Sequence, residues 1–262
     1  MIIVADNVQI TNELIRNALE TKNPYPIQEL VKLCENAGAN ALDINPGPLL
    51  HDPEKKITFL VETIQEVSDL PLVLDTSNHK ALEAGLIACK KKAVINGFSL
   101  QPEKLEHILP LAKEYNTDII GYLLFPNSHV PPDASQRLNI AFEIYTKCME
   151  AGIDKEQLII DPVVVPILWE NGKIQAREVL TVIRTLPELL GYNVRTIAGI
   201  SNLTTGAGKR DKKLSLEQSY VAMLVEAGLN MALMNVFHQG TIKTIKACNI
   251  LTNDKIFTWE EI

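Results

Sequence analysis

The sequence predicts an α/β fold, a parallel (β/α)8 or TIM barrel. Its 262 residues suit one large barrel. Short apolar segments alternate along the chain with longer segments of helical period. Each short segment is almost entirely apolar, as is typical of strands that are covered on both faces. The predicted strands are Ile2–Ala5, Ala41–Ile44, Leu72–Leu74, Ala93–Ile95, Asp118–Leu123, Leu158–Ile160, Arg195–Ala198 and Met231–Met234.

The segments between the predicted strands carry apolar residues at helical spacing. Such stripes would pack helices against the outside of the barrel. Two examples are Leu105, Ile108, Leu109 and Ala112, and Leu138, Ala141, Phe142 and Tyr145. The Pro-rich stretch Phe125–Asp133 follows the fifth strand, and its adjacent prolines disfavour helix, so it predicts a long loop.

An open, doubly wound sheet is the alternative fold. That fold usually carries a G-x-G-x-x-G motif after its first strand, and the motif is absent here. The chain has no low-complexity tract or linker-like segment, so residues 1–262 are expected to form a single barrel domain.

Composition and charge exclude several classes of protein. The residues are 46% hydrophobic and 22% charged, which is typical of a soluble globular protein. The net charge of -7 argues against a nucleic-acid-binding protein, because such proteins usually present a basic face. We find neither a signal-peptide pattern nor a long apolar run, and we therefore expect a cytoplasmic protein without a membrane span.

Metal and disulfide chemistry are not expected. The cysteines and histidines show no C-x-x-C pair and no zinc-ligand spacing. The cysteines are therefore interpreted as reduced thiols, and no intrinsic metal is predicted. The cysteines are Cys34, Cys89, Cys148 and Cys248.

Asp and Asn residues follow most of the predicted strands. They are Asp43, Asn45, Asp75, Asn78, Asn96, Asp161, Asn202 and Asn235, with Ser77 and Ser201 beside them. At any single position, helix capping is the more common role of such a residue. In a barrel, however, the carboxyl ends of all strands meet at one mouth. A ring of carboxylates and amides there would suit a flat ligand rich in N–H groups and acceptors, such as a pterin.

Five motifs carry a family resemblance over essentially the whole chain. They are ALDINPGP, LVLDTSN, AVING, IIDPVV and AGISNLT, followed by Lys209–Arg210. In this order they resemble the methyltetrahydrofolate:corrinoid protein methyltransferases, which are pterin-binding barrels. The resemblance implies methyl transfer between N5 of tetrahydrofolate and the cobalt of a corrinoid (cobalamin) that a partner protein carries. It also implies a homodimer with no metal of its own.

The resemblance implies roles for individual residues. Asp75, Asn96 and Asp161 match the residues that hold the pterin. Asn202 matches the asparagine that reaches N5, which makes it the catalytic candidate, and Arg210 matches an arginine of the loop after the seventh strand. Neighbours in the same motifs are expected to help bind tetrahydrofolate or 5-methyltetrahydrofolate. These neighbours are Asp43, Asn45, Gly199 and Ser201.

One departure from the family bears on the direction of transfer. Family members that use methyltetrahydrofolate as donor tend to carry E-R-I-N after the first strand, where this chain has Asp6-Asn7-Val8-Gln9. The departure favours transfer from a methylcorrinoid to tetrahydrofolate, as in anaerobic demethylation, without deciding it.

Other functions stay open. One is a dihydropteroate synthase-like pterin enzyme, although the anion-binding signatures of that family, D-S-F-S and R-x-H, are missing here. Another is a non-catalytic folate-binding protein, and a third is a barrel enzyme of unrelated chemistry.

Overall fold

The structure, a computed structural model, describes residues 1–47, 51–252, 254, 256, 258 and 259. Eight parallel strands pair in chain order and close into a barrel, so the predicted (β/α)8 fold is confirmed and the open sheet is wrong. The strands are β1 Ile2–Gln9, β2 Ala41–Asn45, β3 Leu72–Leu74, β4 Val94–Phe98, β5 Asp118–Tyr122, β6 Leu158–Asp161, β7 Arg195–Gly199 and β8 Met231–Met234. The helices are α1 Glu13–Thr21, α2 Tyr25–Asn36, α3 Pro53–Gln65, α4 His79–Ala88, α5 Pro102–Glu114, α6 Ala134–Glu150, α7 Gly172–Leu190, α8 Arg210–Ala227 and α9 Gln239–Leu251.

Several strands continue beyond their predicted carboxyl ends. The largest difference is in β1, which reaches Gln9 instead of Ala5, and its last residues Val8 and Gln9 pair with Ile44 and Asn45. The prediction ended β1 at its last apolar residue before Asp6, whereas β5 was predicted one residue too long and ends at Tyr122. Polar residues that face the barrel mouth can still pair through their backbones, because the ladder does not depend on side-chain polarity.

The barrel interior explains which side chains reach the mouth. An inner layer of buried apolar residues fills the centre: Val4, Ala41, Val73, Ile120, Ile159, Ile197 and Met231, with Val94 packed against them. Side chains alternate between the two faces of a strand, so the residue two positions later also faces the interior, one layer nearer the mouth. That next layer is Asp6, Asp43, Asp75, Asn96, Tyr122, Asp161, Gly199 and Leu233.

The helices cover the barrel from outside, with one correction to the predicted stripes. In α5, the predicted residues Ile108, Leu109 and Ala112 are buried. In α6, Phe142 is 53% exposed, so its assignment to the apolar face is wrong. The buried face of α6 is rotated relative to the prediction, since it includes Arg137, Ile140 and Ile144.

The loop from β5 to α6 spans the predicted Pro-rich stretch, and a tight turn there joins the Ser128 amide to the Phe125 carbonyl at 2.8 Å. In the ranges that the structure describes, none of the helices has both the length and the apolar character needed to cross a membrane.

Candidate active site

Three strand ends are joined by a short chain of hydrogen bonds. The Tyr122 hydroxyl donates to Asn96 Oδ1 at 2.6 Å, and Asn96 Nδ2 donates to Asp43 Oδ1 at 2.8 Å. These two contacts fix the orientation of the Asn96 amide, because its carbonyl accepts on one side and its amino group donates on the other. Asn96 and Asp43 are both buried at the base of the mouth.

A second pair lies beside them on β2 and β3. Asn45 Nδ2 donates to Asp75 Oδ2 at 2.6 Å. The Asn45 carbonyl accepts from the Gly47 amide at 2.9 Å, so the amide plane is held from the backbone. Asp75 is therefore oriented by its neighbour. Pro48, in the same ALDINPGP motif, lies outside the described residues.

Asp161 is held by the turn that follows β6. Its Oδ1 accepts from the Val163 amide at 2.8 Å. Val163 has a φ of 63°, in the left-handed region that a β-branched residue rarely adopts. Such a conformation costs of the order of 1–3 kcal/mol and persists only where surrounding contacts enforce it. Turns of this kind cluster at functional sites, and here the turn aims a carboxylate.

Burial raises the pKa of each carboxyl group in this ring. The pKa of Asp75 rises to about 6 and that of Asp161 to about 7, with hydrogen bonds from Asn45 and Val163 acting in the opposite direction. The pKa of Asp43 lies well above its usual range, through burial and the neighbouring Asp75 carboxyl. Asp75 and Asp161 therefore change charge near neutral pH, which is characteristic of binding and catalytic sites.

Asn202 occupies the gap that Gly199 leaves in the ring. Gly199 contributes no side chain, and a Cβ placed there would lie 2.8 Å from Asn202 Nδ2. Asn202 belongs to the 3-10 turn Ile200–Thr204 that follows β7, and it is exposed at the mouth. A larger residue at position 199 would therefore compete with the Asn202 amide for the same space.

We expect Gly199→Ala to fold normally but to displace Asn202. The backbone at Gly199 has a φ of -78°, which alanine adopts without strain. The nearest atoms around the new Cβ belong to the Asn202 side chain, which can rotate away. The free energy of unfolding should change by less than about 1 kcal/mol. The rate of the reaction that the mouth catalyses should fall about 10-fold or more. Additive losses in a Gly199→Ala, Asn202→Ala double mutant would contradict this coupling.

Strand β1 adds another carboxyl group to the mouth, and the turn after β7 contacts it. Ser201 donates through Oγ to Asp6 Oδ2 at 3.3 Å. Burial raises the pKa of Asp6 to about 6, against lowering contributions from Ser201 and His238. In α8, Glu217 is buried and lies 3.2 Å from His238 Nδ1. Neither partner of that pair was predicted, because the two residues are distant in sequence.

Two of the strand-end asparagines have local structural roles, Asn78 as the N-cap of α4 and Asn235 in the turn after β8. Asn78 Oδ1 accepts from the Ala81 amide at the start of α4, and Asn235 Oδ1 accepts from the Phe237 amide. Asn235 also accepts from Asn7 Nδ2 at 2.9 Å. For these positions the common structural role of asparagine holds.

The structure brings most of the predicted site residues to one mouth. They are Asp43, Asn45, Asp75, Asn96, Asp161, Gly199, Ser201 and Asn202. Arg210 differs, because it is exposed at the first residue of α8 and takes no part in the described hydrogen bonds of the ring. Tyr122 was missed. Its position two residues after the inward-facing Ile120 was the available signal.

A closed parallel barrel with a mouth of carboxylates and amides defines a (β/α)8 protein with a polar ligand site at its catalytic face. The chain belongs to the pterin-binding enzyme family: a family model described as "Pterin binding enzyme" matches residues 11–235. The pterin-binding class predicted from the motifs is thereby confirmed, and the chain is an enzyme of that family.

The relatives of this chain fall into two groups by activity. A methylcorrinoid:tetrahydrofolate methyltransferase of Eubacterium limosum is 21% identical over 260 residues, covering 98% of this chain and 93% of the relative. Among solved structures, a Yersinia pestis dihydropteroate synthase with a sulfonamide drug aligns with a TM-score of 0.71 at 15% identity, covering 97% and 94% of the two chains. The Xanthomonas albilineans dihydropteroate synthase in complex with 7,8-dihydropteroate aligns with a TM-score of 0.68 at 17% identity, covering 97% and 94% of the two chains. These structures share the fold.

Proposed function

We propose that this enzyme is a methyltransferase that moves a methyl group between N5 of tetrahydrofolate and the cobalt of a corrinoid carried by a partner protein. The observation that carries the proposal is the ring of Asp and Asn side chains with the Asn202 amide set into the gap at Gly199. The E. limosum relative supports the reaction class and the direction from methylcorrinoid to tetrahydrofolate. The proposal includes a cytoplasmic homodimer.

The ring suits a pterin in chemistry and orientation. A pterin edge carries an N–H and an amino group, which ionised Asp161 or Asp75 would accept. Its carbonyl and ring nitrogens would pair with Asn96, whose amide both donates and accepts. Each charge-assisted contact would contribute about 1.5–3 kcal/mol. A ligand that lacks these donors would leave a buried carboxylate unpaired and would be rejected.

Transfer toward folate requires N5 to lose a proton. The N5 lone pair forms the new N–C bond, the electron pair of the broken Co–C bond stays on cobalt as Co(I), and the N5 proton leaves. The Asn202 carbonyl would accept the N5–H, and its amino group would donate to N5 in the reverse reaction. Asn202 has no titratable proton, so the proton passes to solvent or through carboxylates such as Asp43 and Asp161.

An anaerobic assay tests this proposal directly. The purified protein is mixed with methylcobalamin and tetrahydrofolate, and in parallel with cob(I)alamin and 5-methyltetrahydrofolate, while the visible spectrum of cobalt is followed. Interconversion of Co(I) and methyl-Co(III) that depends on the protein is the expected result. Absence of both turnover and tetrahydrofolate binding would defeat the proposal. Folate binding without methyl transfer, even with the corrinoid protein, would favour a non-catalytic folate-binding protein.

A dihydropteroate synthase-like activity is the second candidate, because the solved structures named above are dihydropteroate synthases. We expect no condensation of a dihydropterin pyrophosphate with 4-aminobenzoate. The D-S-F-S signature is missing at the end of the first strand, where Asn7 is bound to Asn235 and the Val236 amide. Formation of dihydropteroate would reverse this ranking.

We expect Arg210→Ala to weaken the affinity for the glutamate tail of folate, or for an acidic corrinoid partner, by about 3-fold. The effect is small because Arg210 is exposed, and solvent screens such contacts to about 0.2–1 kcal/mol. Calorimetry and stopped-flow kinetics at low and high salt measure it, with Lys212→Ala on the same exposed stretch as the matched control. Identical affinities and rate constants for the two variants would mean that Arg210 is only a solvated surface residue at the start of α8.

A further inference from the structure

Arg137 is a fully buried guanidinium in α6, on the helix face that packs toward the barrel. Nε donates to the Pro131 carbonyl at 3.0 Å, and Nη2 donates to Gln175 Oε1 at 3.0 Å. Nη1 donates to the Pro162 carbonyl at 2.8 Å and to the Val163 carbonyl at 3.2 Å. Arg137 thus connects the loop before α6, the turn after β6, and α7.

The contacts on the β6 side converge on one ring residue. Nη1 holds two consecutive carbonyls of the turn in which Val163 has its left-handed backbone. The amide of that same Val163 donates to Asp161 Oδ1. Arg137 therefore supports, from behind, the turn that fixes the direction of the Asp161 carboxylate.

The carboxylates nearest to Arg137 are engaged elsewhere. Asp133 caps α6 through the Gln136 amide at 2.9 Å, and Glu178 accepts from the Ala134 amide at 2.8 Å. From α8, the Tyr220 hydroxyl donates to the Ala176 carbonyl. The described ion pairs within 4.0 Å do not include Arg137.

The charge of Arg137 acts on Asp161 across the turn. Arginine stays protonated at any physiological pH, and its attraction lowers the pKa of Asp161 against the larger effect of burial. On the mouth side, Asp161 faces Tyr122, which is also close to Asp43 and Asp75. The groups on the mouth side are therefore acidic or neutral. Among the described residues, Arg137 is the cation whose charge favours the ionised form of Asp161.

We propose that Arg137 is a positioning residue for pterin recognition: it holds the turn that aims the Asp161 carboxylate, and its charge favours the ionised form of that group. This proposal rests on the proposed pterin site. An ionised Asp161 accepts ligand N–H groups, whereas a protonated one would present a competing donor. A buried arginine outside the mouth would thereby set the pH range in which the ligand binds.

The test compares Arg137→Gln, which removes the charge, with Arg137→Lys, which keeps the charge but loses the planar fork. Arg177→Gln, which neutralises an exposed arginine of α7, is the matched control. The titration midpoint of Asp161 is read by carboxyl NMR in the ligand-free protein. Tetrahydrofolate affinity is measured by calorimetry between about pH 5 and about pH 9.

We expect Arg137→Gln to raise the Asp161 midpoint by about one pH unit and to shift the pH dependence of folate affinity by the same amount. Arg137→Lys should keep the midpoint and lose about 10-fold in affinity at every pH, because hydrogen bonds to the turn are lost. The Arg177→Gln control should match the native protein. An unchanged titration midpoint of Asp161 in Arg137→Gln would overturn the proposed effect of the Arg137 charge. A purely structural role would lower the affinity for tetrahydrofolate without moving that midpoint.

If Arg137→Gln shows no cooperative thermal unfolding, Arg137→Lys decides the question, and native-like affinity in that variant would overturn the proposal. The NMR midpoint needs no ligand. A native protein that does not bind tetrahydrofolate at any pH would defeat the proposed function, while a shifted midpoint would still show that Arg137 controls Asp161.

Discussion

Replacing Asn202 with alanine is expected to lower turnover by about 10²–10³-fold while leaving tetrahydrofolate affinity within about 3-fold of the native value. The pterin edge would still be held by Asp75, Asn96 and Asp161. Under the proposed function, the variant loses the amide that would lie beside N5 and would respond to the charge that develops there. Single-turnover cobalt spectroscopy gives the rate, and calorimetry gives the affinity.

The control for this prediction is Thr205→Ala, which removes an exposed side chain that bonds the Ser201 carbonyl in the same turn. Its turnover should stay close to native. Equal losses of turnover and of binding in Asn202→Ala would mean that the residue only holds the ligand.

The second large effect is expected from Asp161→Asn, which should weaken tetrahydrofolate binding by about 100-fold or more at neutral pH. The amide keeps an acceptor for the Val163 amide but replaces the ionised acceptor with a mixed donor and acceptor, so one ligand N–H meets another donor. Calorimetry measures the loss. Retention of native affinity would remove Asp161 from the site.

The same variant should stabilise the ligand-free protein. The pKa of Asp161 is about 7 in the folded protein, above the value of about 3.9 for an unfolded chain, so the folded state binds the proton more tightly. The native stability from this group is therefore present below about pH 4 and is lost as pH rises through about 7. The substituted amide has no charge to bury, so Asp161→Asn should add about 2–4 kcal/mol at about pH 8 and less at about pH 5. Denaturant unfolding at both pH values measures the difference, and a destabilised variant at the higher pH would contradict the assignment.

The sequence predicted the barrel well, because buried parallel strands leave short apolar runs that helical segments separate. It also predicted that Asp43, Asp75, Asn96 and Asp161 would meet, since parallel strands of a barrel end at one mouth. The hydrogen-bond partners within the ring could not be predicted from the sequence. The bond from Asn96 to Asp43 joins residues 53 positions apart, and nothing local in either motif indicates it.

Two residues show why the remaining parts of the site were not predicted. Tyr122 lies within an apolar strand segment, where an aromatic residue usually packs in the core, yet its hydroxyl orients Asn96. Arg137 lies in α6, and a charged residue of a helix usually faces solvent. Its burial depends on carbonyls supplied by two loops, and their approach is a tertiary property of the fold.

The closure of the barrel also bears on how the chain folds. The seam between β1 and β8 pairs the first strand with the last, and the bond from Asn7 to Asn235 spans 228 positions. Contacts of such long range form late and slowly. Because ring residues come from strands on both sides of this seam, a partly assembled barrel lacks the complete pocket. Ligand should therefore stabilise only the fully closed state, by about 2.7 kcal/mol at 100 times its dissociation constant. A ligand bound at the mouth would therefore report that the barrel has closed.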